Sequence, residues 1–178
     1  MLTLKRIVPV IALLSIASSP FLANSQETVR LGTPVSESQL ADFDLIAQPN
    51  GNGLPPGSGT ARQGKAVYDA RCSACHAANG EGISAATVIV GGDMQSEGTP
   101  LRTVGSYWPE ASTVFDFVRR AMPADAPKSL SDDEVYQVVA YVLYMNGIIG
   151  EDAELNSTTL PQVEMPNADG FIDRSIVH

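Results

Sequence analysis

Cys72-Ser73-Ala74-Cys75-His76 is the stretch whose reading decides the fold of this chain. These are the only two cysteines in 178 residues, and they stand three positions apart at the end of a predicted helix. Their thiols therefore lie on nearly the same face, and the following histidine can turn its ring over whatever the thiols hold. This is the attachment pattern of c-type haem, in which both sulfurs add to porphyrin vinyl groups and the histidine supplies the proximal nitrogen to iron. A thioredoxin-like pair shares the cysteine spacing but follows a strand in a βαβ unit, whereas here a capped amphipathic helix precedes it. A structural zinc site needs four ligands, and the chain has no third cysteine and only His178 as a second histidine. The residues thus point to one covalent haem c, bound through Cys72 and Cys75 with His76 on the iron.

Three helices are expected around this motif. Thr60 caps a helix from Ala61 to about Arg71, with Gly64, Val67, Tyr68 and Arg71 on one stripe. Ser112 or Thr113 begins a second, running to Ala121 and ending before Pro123. The third has a capping box of Ser131 and Glu134, acidic residues in its first turn, and Gly147 as its stop. Its apolar face is Val135, Val138, Val139, Val142 and Met145. Residues 80–110 between the first two are rich in glycine and proline and read as loop.

This all-α core spans residues 60–148. Residues 26–59 read as an N-terminal arm and linker, with one short helix capped by Ser36 and Gln39, and residues 149–178 as an extended C-terminal arm with little periodicity. Residues 1–25 read as a signal peptide: Lys5 and Arg6 precede a short apolar run, and Ala23-Asn24-Ser25 presents small residues to a peptidase. The run is short for spanning a bilayer, so no stable membrane insertion is expected after cleavage, and the exported protein is placed in the periplasm. The formal charge of −9 becomes −11 once Lys5 and Arg6 are removed. Such a surface argues against nucleic acid as a partner and favours docking onto basic patches.

The sixth iron position separates electron transfer from haem chemistry, because a methionine sulfur closes it. Met122 ends a helix just before Pro123, whose extended approach could swing the thioether inward, and Met165-Pro166 repeats the pattern in the C-terminal arm. Met122 is the preferred ligand and Met165 the alternative. Met145 reads as packing, Met94 as a loop surface residue, and His178 as a remote second candidate. Arg102, Tyr107 and Trp108 are expected near the haem propionates, with Arg119 and Arg120 as further donors.

The order of Gly64-x-x-x-Tyr68, the haem motif, Met122-Pro123 and the helix after Ser131 resembles class I cytochrome c over residues 59–147. That resemblance implies a class I cytochrome c fold with the first and last helices crossing at Gly64 beside Tyr141. One departure stands out: the family's Gly-Pro-x-Leu, whose proline carbonyl orients the proximal histidine, is missing, and another carbonyl within residues 82–90 has to do this. A narrower resemblance covers nearly the whole exported chain. Leu31-Gly32-Thr33-Pro34, Gly53-Leu54-Pro55-Pro56-Gly57, Thr103 to Pro109 and Met165-Pro166-Asn167 look like the cytochrome subunits of bacterial sulfite and sulfane dehydrogenases. It implies an electron-transfer subunit, not catalytic alone, with a molybdenum-cofactor dehydrogenase subunit as donor and a soluble cytochrome c as acceptor. A free-standing periplasmic carrier and an open-iron haem enzyme or sensor are the alternatives.

Overall fold

The computed structural model describes residues 32–40 and 43–172, so the expected signal peptide and His178 lie outside the described residues. The chain divides into units 1–35 and 36–178, and the described residues of the first, 32–35, are exposed and without regular structure.

In the second unit two capping boxes start the helices that frame the core. Thr60 Oγ1 accepts from the Gln63 backbone N–H at 3.3 Å, and Gln63 Oε1 accepts from the Thr60 N–H at 2.9 Å. Ser131 and Glu134 repeat the exchange at 3.3 and 2.8 Å. Such caps contribute about 1 kcal/mol each by satisfying N–H groups that the first helical turn leaves free. Between short α1 (Glu37–Leu40) and the second capped helix run α2 (Ala61–Arg71), one-turn α3 (Ser73–His76) and α4 (Ala111–Ala121); α5 spans Asp132–Met145. α4 starts one residue before Ser112, with Glu110 in extended conformation as its N-cap, where a carboxylate suits the positive end of the helix dipole. The hydroxyls of Ser112 and Thr113 are consequently carried into the first turn, where both are buried without a hydrogen-bond partner.

α2 packs across α5 at Gly64, where any Cβ would overlap the Gln137 carbonyl and come within 2.9 Å of the Tyr141 Cβ. Absence of a side chain is what lets the helices touch. α5 is buried more widely than its valine stripe suggests: Val135, Tyr136, Val139, Ala140 and Leu143 are fully enclosed. Tyr136 tolerates this because its hydroxyl donates to the Pro55 carbonyl at 2.9 Å.

The flanking segments fold back onto the core instead of leaving it. Ala47 is buried, and its N–H donates to Asp116 Oδ1 at 2.8 Å, while Arg119 donates to the Leu45 carbonyl and to Asp132. Asp116 is paired with Arg120 as well. Burial pushes its pKa up, but the hydrogen bonds from Arg120 and the Ala47 N–H and the two arginine charges outweigh that and hold it below the usual carboxylate value. On the C-terminal side, β2 (Glu154–Asn156) pairs antiparallel with β1 (Ser58–Thr60), Gly59 opposite Leu155. Leu155, Leu160 and Met165 are buried in the core. The all-α reading therefore gains one short ladder, and the C-terminal segment, expected as an extended arm, contributes buried residues to the core: they are spaced by five, a period neither helix nor strand produces.

Candidate haem site

The haem motif sits where α2 ends and α3 begins. Cys72 closes α2, its N–H donating to the Tyr68 carbonyl at 2.9 Å, and its own carbonyl accepts from the N–H groups of Cys75 and His76 at 3.1 and 3.0 Å. That single turn brings both thiols and the imidazole to one wall of a cavity of about 750 Å³, inside the ~300–1,000 Å³ range of cofactor pockets. Cys72 is half-buried and Cys75 exposed. Burial pushes the Cys72 thiol up to about 11, so it stands protonated in the wall at neutral pH.

His76 Nδ1 lies 2.6 Å from the Thr87 carbonyl oxygen. A carbonyl can only accept, so Nδ1 carries the proton and Nε2 keeps its lone pair for a metal. Thr87 falls within the 82–90 segment in which the sequence requires a substitute for the missing proline carbonyl. The signal for Thr87 itself is the Ser84-x-x-Thr87 spacing, a local cap read at sequence level only as part of a glycine-rich loop.

Behind the histidine, Ala77 has φ 60° and ψ 178°, a conformation that costs a residue bearing a Cβ about 1–3 kcal/mol. The Tyr68 hydroxyl holds it there, donating to the Ala77 carbonyl at 2.8 Å, and burial pushes the Tyr68 pKa up to about 12. Tyr68 is thus a positioning residue that helical spacing marks only as core.

The remaining candidates separate cleanly. Met122 lines the same cavity, in the extended conformation (φ −119°, ψ 149°) expected before Pro123. Met165 is 4% exposed in the core and is not a cavity wall; Met94 and Met145 do not line it either. Arg102 and Trp108 are cavity walls. Tyr107 is not: its ring lies under the Arg102 guanidinium at 5.0 Å and packs edge-on against Phe171 at 5.2 Å. It supports the arginine from behind. Arg119 and Arg120 are both committed to carboxylates, Asp132 and Asp116, and neither faces the cavity. Arg71 and Asp125 also reach the cavity, and most of the other walls, among them Val104, Val114, Phe117 and Val142, are apolar. Two thiols, an imidazole with a free Nε2, a thioether and an apolar enclosure with arginine in its wall are a donor set that fits haem c.

Comparison with known proteins agrees. The family model for cytochrome c oxidase, cbb3-type, subunit III matches residues 59–142. A thiosulfate dehydrogenase of Allochromatium vinosum is 35% identical over 85 residues, 45% of this chain, and the match spans 29% of that relative's length. A chain in the crystal structure of the sulfane dehydrogenase SoxCD from Paracoccus pantotrophus superposes with a TM-score of 0.76 at 38% identity, covering 83% of this chain and 74% of that one. Among the described residues no helix is long and apolar enough to cross a membrane. A thioether-motif histidine with its Nδ1 already bonded, in the wall of an apolar cavity framed by crossing helices, and these three matches lead to one family: the chain is a class I c-type cytochrome, resembling the cytochrome c subunits of bacterial sulfite and sulfane dehydrogenases.

Proposed function

We propose that this is a periplasmic mono-haem electron carrier in which Cys72 and Cys75 would hold the haem covalently while His76 Nε2 and Met122 would supply the ligands to its iron. The observation that carries this is the His76 Nδ1–H to Thr87 carbonyl bond, which fixes both the tautomer and the direction of the free Nε2 lone pair. A bound haem supplies a reversible one-electron couple. The protein's own groups do the rest. Apolar walls keep water from the centre and so limit the reorganisation that electron transfer requires. Arg102, braced by Tyr107, offers positive charge to buried carboxylates, and Trp108 offers its indole N–H. Met122, in the cavity wall, would supply a second iron ligand and so disfavours the open-iron reading, because a closed iron neither binds nor activates small molecules.

The same proposal places the protein as the haem subunit of a molybdenum-cofactor sulfite or sulfane dehydrogenase, passing electrons to a soluble cytochrome. Its support is the likeness to a SoxCD chain over most of both lengths. The flanking segments do not add to it, since they cover this domain's own core through Ala47, Leu155 and Leu160. That observation favours the second reading, a free-standing carrier. Native purification separates the two: a molybdenum-containing partner co-eluting in fixed proportion with the haem is expected, and a haem protein that elutes alone and is never reduced by sulfite or sulfane substrate would contradict the subunit reading.

A further inference from the structure

Thr87 stands where this chain lacks the proline that usually fixes the carbonyl behind the proximal histidine. We infer that the Thr87 hydroxyl takes over that task and thereby sets the reduction potential of a haem bound at His76. The inference rests on the haem reading above.

The hydroxyl is fully used. Thr87 Oγ1 accepts from the N–H groups of Ile83 and Ser84 at 3.0 and 3.1 Å and donates to the Ser84 carbonyl at 3.0 Å. The Thr87 N–H reaches the same carbonyl at 3.0 Å. These bonds tie the short 3₁₀ turn Ala85–Thr87 to the preceding residues, and those are tied to the motif itself: Gly82 N–H donates to the His76 carbonyl at 2.9 Å and Ile83 N–H also approaches the Cys75 carbonyl at 3.3 Å. The result is a closed circuit. It leaves the His76 backbone, passes through residues 82–84 and the Thr87 hydroxyl, and returns through the Thr87 carbonyl to the imidazole of His76. Gly82 shows how tight the circuit is. It has φ +74°, and a Cβ there would come within 2.7 Å of the Thr87 carbonyl carbon and 2.6 Å of the Val88 nitrogen.

Beyond Thr87 the chain is tied down separately, the Ile89 and Val90 N–H groups donating to the Gly80 carbonyl at 2.9 and 3.1 Å; before it, residues 83 and 84 have no apolar anchor. Ile83 is 70% exposed and Ser84 is exposed, so water competes for their N–H groups and no apolar packing holds them. A short Nδ1–H bond gives the imidazole partial imidazolate character, which strengthens its donation to iron and favours the ferric state. Loosening the carbonyl weakens that donation and raises the potential.

The test is a redox titration of the holoprotein. Thr87→Val keeps shape and β-branching but removes the hydroxyl, Thr87→Ala removes it without β-branching, and Thr87→Ser retains it. At a fixed poise the ferrous-to-ferric ratio rises severalfold in Thr87→Val and Thr87→Ala and returns close to wild type in Thr87→Ser. If Thr87→Val and Thr87→Ala melt earlier but keep the wild-type potential, the hydroxyl is structural only and the inference is overturned. Because Thr87→Ser changes little else, a potential shifted as far in it as in Thr87→Val overturns the inference too. A wild-type protein that takes up no haem defeats the haem reading itself; a haem-loaded set with equal potentials defeats only the role of Thr87.

Discussion

Met122→Ala is expected to abolish the near-infrared sulfur-to-iron band of the ferric protein and to open the iron to carbon monoxide, whereas Met165→Ala is expected to leave the band in place. The two methionines precede prolines alike, and sequence alone offers both. Their surroundings differ. Met122 is part-buried at the end of α4 in the cavity wall, and truncating it is expected to remove the proposed iron ligand with little change to the core. Met165 is packed into the core against which the C-terminal segment is laid. Removing its side chain leaves a cavity and lowers stability by about 2–5 kcal/mol. Thermal melts and near-infrared spectra of the two variants therefore move in opposite order. A band lost in Met165→Ala and kept in Met122→Ala would reverse the assignment.

Gly64→Ala is the substitution expected to damage the fold most for its size. The added methyl has no free space: it overlaps the Gln137 carbonyl and crowds Tyr141, both on α5. Neither neighbour can yield cheaply, since one is helical backbone and the other packs against Tyr68, with ring centroids 5.3 Å apart. The helices must separate, and α2 carries the motif at its end, so the cavity widens with them. Helix propensity favours alanine by about 1 kcal/mol, but overpacking of this kind costs about 3 kcal/mol, so destabilisation wins. Urea denaturation of the haem-loaded protein reads this directly. A variant as stable as wild type would mean that the helices are not in contact at Gly64.

Much of this was legible in the residues. Thr60 as a cap and Ser131 with Glu134 as a capping box announce helix starts because capping is local chemistry, and the structure begins α2 and α5 at those positions. The thiols and imidazole of the motif are likewise local, and one turn suffices to bring them together. What the sequence hides is non-local. The pairing of β1 with β2 joins residues nearly a hundred positions apart, and the burial of Leu155, Leu160 and Met165 follows no period. Arg119 looks free in sequence because its partner Asp132 is brought to it by packing, whereas Arg120 pairs with Asp116 four residues earlier on the same helix, a local spacing the sequence already carries. Tyr107 reads as a cavity residue but stands behind one, since only the fold reveals that Arg102 lies between. Thr87 could be narrowed to a segment, because the histidine demands an acceptor, yet its selection depends on how the 82–87 turn closes.

The central claim, one haem held covalently by Cys72 and Cys75 with His76 on its iron, is tested most directly by intact mass spectrometry of the purified protein under denaturing conditions. Thioether bonds survive unfolding, while a haem held only by axial ligands does not. The account predicts a polypeptide carrying the mass of a single haem, and bare polypeptide for Cys72→Ser/Cys75→Ser. A wild-type protein that releases its haem on denaturation, or that carries none, would contradict it.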